Sequence, residues 1–441
     1  MSANGSDDVE VAVSFVTRLP EAFRVSESPI TVPGKLTRYG LSEVVNHLLG
    51  TETPTPFDFL VDGVLLRTSL AKLALKVRAS AEATLVVEYV PALGPPTAAE
   101  TAPHDDWVSS VDGSWATAVV SGGYDNKARL WSPKGKLLAE LDGHNAHVCA
   151  VSLAPPSDGS AGSESAVVLT ASADGTARSY AVTVKGKKCD VGDIRVFKGH
   201  TGTVTDIAAA FGVAVFATAS VDGSARVWKL DGGEFAEEKK VKKRKKSKEV
   251  DDDDDDDMNV DEPQIGLGEE LVLSGHTDQV RAVSWASSEV LWTGSFDHTI
   301  RSWNIETGEE IESHSTHHGV HCLSVTAGGN KIAFGGVDAV VNVWDAREGA
   351  TAKGCLKLKS HEGWISSIRW SPTNEYHLVS SSYDGHIKLW DIRGRLPLHS
   401  VQTHKGKVFA VDYHGGERLC CGGDDGKVRF YDVQTSKSLL G

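Results

Sequence analysis

Seven times along this 441-residue chain an aspartate is followed six positions later by Trp or Tyr: Asp125/Trp131, Asp174/Tyr180, Asp222/Trp228, Asp297/Trp303, Asp338/Trp344, Asp384/Trp390 and Asp425/Tyr431. A histidine stands upstream of most pairs, often after glycine, as in Gly143-His144, Gly199-His200, Gly275-His276, His361 and His404. Histidine near a carboxylate looks like a catalytic inventory. Its regular recurrence argues for structure instead. An aspartate in the tight turn between two strands accepts hydrogen bonds from turn amides and from the upstream histidine. The aromatic residue at the far end of the next strand packs inward and reaches a hydroxyl with its N–H or O–H. Buried polar groups must be paired, so each copy needs its full set. The sequence holds no G-x-S-x-G, H-E-x-x-H or G-x-x-x-x-G-K-[ST] pattern, so neither enzyme activity nor a cofactor or metal held by the chain alone is expected.

Between the pairs lie apolar/polar alternations such as Val280-Arg281-Ala282-Val283-Ser284-Trp285, which read as short strands. A period of about 40 to 50 residues with a Gly-His and a Trp/Asp signature is that of a WD40 blade. From about Trp107 to the C-terminus the chain resembles the WD-repeat family, and seven copies imply a mainly β fold, a seven-bladed β-propeller. Successive turn aspartates are 49 (125 to 174), 48, 75, 41, 46 and 41 residues apart. The long third interval must hold an insert of about thirty residues. It contains a basic run, Lys239 to Lys248, and then Asp251 to Asp257, within a segment of about 232–268. Blocks of like charge stay disordered and act as interaction tails. Lys242, Lys243, Arg244, Lys245 and Lys246 read as a nuclear localisation signal, and the acidic part as a tract common in nucleolar proteins.

Several blades depart from the pattern. Blades two and seven end on Tyr180 and Tyr431, and blade five lacks a Gly-His, although His317 precedes Asp338 by the same 21 residues that separate His276 from Asp297. The last blade stops short of a fourth strand, so residues shortly before Trp107 are expected to complete it, an open edge being a liability. The residue before each turn aspartate, and the one before each first strand, point to one rim of a propeller. Those positions include Trp107, Tyr124, Phe296, Trp364 and Tyr383. Blades six, seven and one are neighbours in a closed ring, so Trp364, Tyr383, Trp107 and Tyr124 are expected to form one patch, the kind of aromatic cluster that anchors partners.

The first ninety residues read differently. Val9 to Val16 alternates as a half-buried strand, and a second strand is expected from Phe23 to Val32, interrupted near Pro29. Leu41, Val44, Val45, Leu48 and Leu49 fall on one helical face that Gly50 ends. Phe57–Val61 and Val64–Leu66 read as strands joined at Asp62-Gly63; a short helix over Ser69–Lys76 and a strand over Thr84–Val90 follow. This order resembles a small α+β ubiquitin-like domain over 9–92, then a linker over 93–103 and the propeller over 104–441. The net charge of −15 favours protein partners and leaves direct RNA contact open. Six cysteines without C-x-x-C, an acidic start and no apolar run of about 20 residues point to a soluble chain in a reducing compartment, without membrane insertion.

Longer runs carry a closer resemblance. Leu36 to Leu49, Phe57-Asp58-Phe59-Leu60, Leu65 to Leu70 and His104 to Ser110 are similar to the WD-repeat ribosome-biogenesis factors that join Pescadillo and the block-of-proliferation protein. The related Notchless type shares the domain order but carries eight blades. The resemblance implies a scaffold for large-subunit assembly in the nucleus, nucleolus and nucleoplasm, bound to pre-ribosomal particles. It also implies that the ATPase midasin grips the ubiquitin-like domain through a metal-ion-dependent adhesion site. There a partner carboxylate fills the open position of a Mg²⁺ ion. Glu82 matches the family's metal-reaching acid; Glu52, Asp62 and Glu88 are the alternatives. A ubiquitin-like domain on a propeller also permits an adaptor of another nuclear complex, such as a ubiquitin-ligase substrate receptor.

Overall fold

The computed structural model describes residues 9–50, 54–77, 84–154, 164–186, 188–210, 214–231, 234–235, 269–348, 355–416 and 418–433. Glu82, Glu52 and the basic and acidic runs of the insert, with Lys242, Lys243, Arg244, Lys245 and Lys246, lie outside those residues.

The N-terminal domain is a five-stranded mixed sheet with two helices. Its strands run in the order Ile30–Pro33, Glu10–Val16, Leu85–Pro91, Phe57–Val61, Val64–Leu65, and the central pair is parallel, with Val13 opposite Leu85. Phe15, Phe59 and Tyr89 meet edge-on or tilted in the core, with ring centres 6.1 and 6.3 Å from Phe15. The helix Arg38–Leu49 seats Leu41 and Val45 in that core and stops at Gly50, whose φ of 63° a side chain would resist. Leu48, expected on the buried face, is instead exposed. Asp62 and Gly63 both take positive φ, 48° and 73°, as a two-residue hairpin turn requires.

The strand expected over Phe23–Val32 is shorter. Glu21–Phe23 forms a 3-10 turn and pairing begins at Ile30. Between them the backbone bonds a side chain instead of a ladder. The Tyr89 hydroxyl donates to the Phe23 carbonyl at 2.6 Å and accepts from the Val25 amide at 3.1 Å. Pro29 has no N–H to offer a neighbouring strand.

From Thr97 onward the described strands build seven antiparallel sheets. The inner strands are Val108–Asp112, Val148–Ala154, Val204–Ala209, Val280–Trp285, Val320–Val325, Ile365–Trp370 and Val408–His414. Each packs beside the next, and the seventh returns to the first, closing the ring. Val or Ile opens every inner strand and an apolar residue follows three positions later; both are buried between sheets.

The second residue of each inner strand sits in a β-bulge, because register slips between the first and third residues of all seven. A bulge re-aims a side chain. Ser109, Thr205 and Ser366 use it to donate to the carbonyls of Val148, Val280 and Val408 on the next blade, at 2.5, 2.7 and 2.7 Å. Deeper along the strands a second set of bonds crosses two of these junctions and three others. Asp112 accepts the Leu153 amide, Asp206 the Val283 amide and Asp412 the Gly113 amide, each at 2.9 Å. Ser152 and Ser284 do the same for Ala209 and Val325 at 3.2 Å.

Blade seven closes as expected, but at the expense of the linker. Residues Thr97–Pro103, inside the segment read as linker over 93–103, form its outer strand beside Lys427–Asp432. The His104 amide continues the contact to the Gly426 carbonyl at 2.7 Å. Ala102 is fully buried there, with Trp131 and Phe430 in the same cluster. Ala102→Glu is therefore expected to destabilise the full chain by about 3 kcal/mol or more, through an unpaired buried charge. Thr101→Glu, on the exposed side of the same strand, should cost less than about 0.5 kcal/mol. Denaturant melts of the two variants check this.

Candidate interaction face of the propeller

The recurring histidines and aspartates are joined as a buried relay. His144, His200, His276 and His361 place Nδ1 at 3.0, 2.8, 2.7 and 2.8 Å from the carboxylates of Asp174, Asp222, Asp297 and Asp384. Their Nε2 atoms lie 2.8, 2.8, 2.8 and 2.7 Å from the hydroxyls of Thr170, Thr218, Thr293 and Ser380. Trp228 and Trp303 donate their indole N–H to those same threonines at 2.8 and 2.9 Å. The donors then run one way, indole to hydroxyl, hydroxyl to Nε2, Nδ1–H to carboxylate, and no group is left over. Burial alone would raise the aspartates. The histidine bond and the turn hydroxyls and amides outweigh it, holding Asp174, Asp222 and Asp384 below the carboxylate range and Asp297 at about 2.

Blade one has a member that the Gly-His pattern does not reveal. His104 follows Pro103, yet its Nε2 lies 2.6 Å from the Ser121 hydroxyl, which also accepts from Trp131 at 2.6 Å. Its Nδ1 is 3.4 Å from Asp125 and 2.6 Å from Arg129, a cation that can only donate. His104 thus carries its proton on Nε2, opposite to the tautomer of the relays in blades two, three, four and six. Arg129 instead supplies the charge that Asp125 pairs with. In blade seven His404 reaches Asp425 at 2.8 Å, with the Cys421 thiol at 3.7 Å in place of a hydroxyl. The Tyr180 hydroxyl donates to the Asp142 carbonyl at 3.0 Å and also meets the Thr170 hydroxyl.

In blade five the expectation fails. His317 is exposed and makes no bond to Asp338. The inner strand fixes the position: His276 stands four residues before Val280, and four before Val320 stands Thr316. The second-strand hydroxyl is replaced by Phe334. Counting back from the aspartate misplaces the histidine because the intervening segment is one residue longer than in blade four.

The rim residues expected to form a patch do so. In every blade but the fifth the amide of the residue before the turn aspartate bonds the carbonyl of the residue before the inner strand, as Tyr124 to Trp107 at 2.9 Å and Tyr383 to Trp364 at 3.0 Å. This brings the two rings of a blade together, Trp107 and Tyr124 at 5.5 Å, Trp364 and Tyr383 stacked at 5.9 Å. Phe409, on the blade-seven bulge and absent from the expected set, links them. Its ring lies 5.7 Å from Trp107, 6.4 Å from Tyr124 and 5.6 Å from Tyr383. Phe296 joins through His321, another bulge residue, at 6.2 Å, and His321 lies 6.5 Å from Tyr383. His147 stacks on Tyr124 at 4.5 Å. Trp107 and Trp364 each leave 45 % of their surface exposed.

Two cations stand over this cluster, Arg281 at 5.3 Å from the Phe296 ring and Lys407 at 5.0 Å from the Tyr383 ring. Burial, reinforced by Arg281, pushes the His321 imidazole down to about 3, so it is neutral there. The equivalent rim positions of blades two, three and seven carry Ala173, Val221 and Asp424, whose amides bond His147, Thr203 and Lys407. Among the described residues no group of His, Cys, Asp or Glu is placed to hold a metal ion. Of the alternative acids in the N-terminal domain, Asp62 is exposed in its turn, and Glu88 lies in the last strand, 3.5 Å from Arg18.

The relays make the ring acid-sensitive. Burial holds His144, His276, His361 and His404 below the imidazole range, and burial with Arg129 holds His104 at about 4. A folded-state pKa below the unfolded value contributes stability that is full above about 6.5 and lost as pH falls through the folded pKa. His104 alone accounts for about 3 kcal/mol over that window. Asp412 and Asp206 act in the opposite sense, since burial raises both carboxyls, with Asp112 adding to the effect at Asp412, but they are two groups against five. The apparent Tm is expected to hold between about pH 7 and 8, fall from about pH 6.5 towards 4, and fall further as the turn aspartates protonate. A Tm that rises on acidification through that range, in calorimetry at fixed ionic strength, would contradict the relay.

Comparison with known proteins places this architecture. The family model described as the NLE (NUC135) domain matches residues 11–74. The WD domain, G-beta repeat, matches seven segments, 98–132, 135–180, 192–229, 269–304, 308–345, 353–391 and 395–432. The ribosome biogenesis protein WDR12 homolog of Chlamydomonas reinhardtii is 35 % identical, covering 97 % of this chain and 98 % of that protein. The Arabidopsis thaliana WDR12 homolog is 34 % identical over 97 % and 98 %. Ribosome biogenesis protein YTM1 of Saccharomyces cerevisiae S288c is 30 % identical over 96 % and 97 %. With its NLE domain, its seven WD repeats and this near full-length likeness, the chain belongs to the WDR12/YTM1 family of ribosome biogenesis proteins.

Proposed function

We propose that the chain is a non-enzymatic scaffold in large ribosomal subunit assembly, acting in the nucleus, chiefly the nucleolus and nucleoplasm. The propeller rim binds the block-of-proliferation protein and, through it, Pescadillo and the pre-ribosomal particle. The N-terminal domain presents Glu82 to the adhesion site of midasin, whose ATP hydrolysis removes the factor from the particle.

The observation that carries the propeller part is the continuous aromatic face around Phe409, with Trp107 and Trp364 half open to solvent. Rigid aromatics under a pair of cations are what a partner's binding anchors dock against. Every described relay histidine and aspartate already has a structural duty, which favours scaffolding over chemistry. The midasin part is supported by the NLE family match and by the resemblance at Glu82.

Two experiments separate the parts. Trp107→Ala and Phe409→Ala in the full chain should each weaken capture of the block-of-proliferation partner by about 30-fold or more, the loss of about 2 kcal/mol typical of an anchor. Unchanged capture would move the interface elsewhere. Glu82→Ala and EDTA should each abolish binding of the midasin adhesion domain, while leaving propeller capture intact. Glu82→Asp, one methylene shorter, should weaken binding at a Mg²⁺ site that needs a fixed reach. Wild-type binding by the alanine variant would reassign the acid to Asp62 or Glu88.

A further inference from the structure

Blade five has lost three groups at once. It has Thr316 where the other blades place a relay histidine, Phe334 where they place a hydroxyl or thiol, and Asn342 where they place a cation such as Arg129, Arg301 or Arg429. A cavity of about 640 Å³ stands at this place, lined by Asp338, Asn342, His314, Lys357 and Lys359 among others. The turn aspartate remains without its usual company. Asp338 keeps one hydrogen bond among the described residues, accepting from the Val340 amide at 3.4 Å.

The rest of the lining is also short of partners. His314 stacks on Trp344 at 4.4 Å and is 4 % exposed, yet its buried Nδ1 has no hydrogen-bond partner. The other blades show what the space is shaped for. In blades one and seven the guanidiniums of Arg129 and Arg429 bond the turn carboxylates of Asp125 and Asp425. In blades one and four an outer-strand acid takes the guanidinium's other side, Glu140 at 3.0 Å and Glu310 at 2.6 Å. Blade five keeps the carboxylate, drops the guanidinium and inverts the outer strand, where Lys357 lies opposite Asn342. Lys357 and Lys359 are exposed and form no ion pair among the described residues.

We propose that this cavity receives an arginine side chain of a partner polypeptide, presented between acidic residues. The guanidinium donates to Asp338 Oδ and has the Asn342 side-chain carbonyl as a further acceptor, which uses the fork that a lysine lacks. The acidic neighbours of that arginine pair with Lys357 and Lys359 at the mouth. Those two cations repel a purely basic segment and so set the sequence it selects. The cavity borders the aromatic face, since Gly319 of its lining packs against Phe296, but the proposal does not rest on that face.

The test uses the full chain and three end-blocked peptides, Gly-Glu-Arg-Glu-Gly, Gly-Glu-Lys-Glu-Gly and Gly-Glu-Ala-Glu-Gly, titrated by calorimetry. The arginine peptide is expected to bind at least about tenfold more tightly than the other two. Asp338→Asn keeps the turn acceptor for Val340 but removes the charge, and should reduce that binding about tenfold. Asn342→Arg supplies the missing guanidinium from within and should abolish it with the Tm unchanged or raised. Equal binding of the three peptides, or wild-type binding by Asn342→Arg, overturns the proposal. If Asn342→Arg does not fold, the Asp338→Asn titration decides, and undiminished binding there overturns it equally.

Discussion

A propeller blade has one edge that water cannot satisfy, the inner strand, and only the neighbouring blade can cover it. In this chain that constraint is met by a bulge repeated at the second residue of all seven inner strands. The bulge frees one side chain per blade from the pleat. Where it is Ser or Thr, it stitches two blades together. Where it is Arg281, His321 or Phe409, the same geometry delivers the side chain to the rim and builds the aromatic face. Stability and recognition are therefore two uses of one backbone irregularity.

The relays behind the rim solve a different problem. Each buries an imidazole and a carboxylate, and the cost is offset only where every donor meets an acceptor. Blades two, three, four and six do this with one tautomer, while blade one, with Arg129 wedged against His104, does it with the other. Blade five abandons the arrangement. Its Trp344 stacks on His314 instead, so the blade keeps its packing and leaves a polar cavity open.

Much of this was legible in the sequence, because the Asp-to-aromatic spacing is enforced by a turn and one strand of fixed length. The patch of Trp107, Tyr124, Trp364 and Tyr383 followed from the same periodicity. Phe409, Arg281 and His321 did not, because a bulge adds a residue without disturbing the apolar alternation around it. His104 escaped because a proline, not a glycine, precedes it. The shortened strand after Phe23 was hidden in a contact made across 66 residues, the Tyr89 hydroxyl that replaces its ladder. Local pattern carries no information about such a partner.

The strand that closes blade seven is made early and used late. Thr97–Pro103 must wait for Lys427–Asp432, so its edge stays unpaired until about 330 more residues have been synthesised, from residue 103 to residue 432. At ordinary elongation rates that is roughly 15 to 65 s, long against any strand-pairing time. Its sequence suits the delay. Thr-Ala-Ala-Glu-Thr-Ala-Pro carries an acid, a proline and a single buried side chain, Ala102, so it offers little to a wrong neighbour in the interval. The last step of ring closure is thus a slow search between distant ends, and a chain stopped short of residue 427 is left with two open edges that a quality-control system can read.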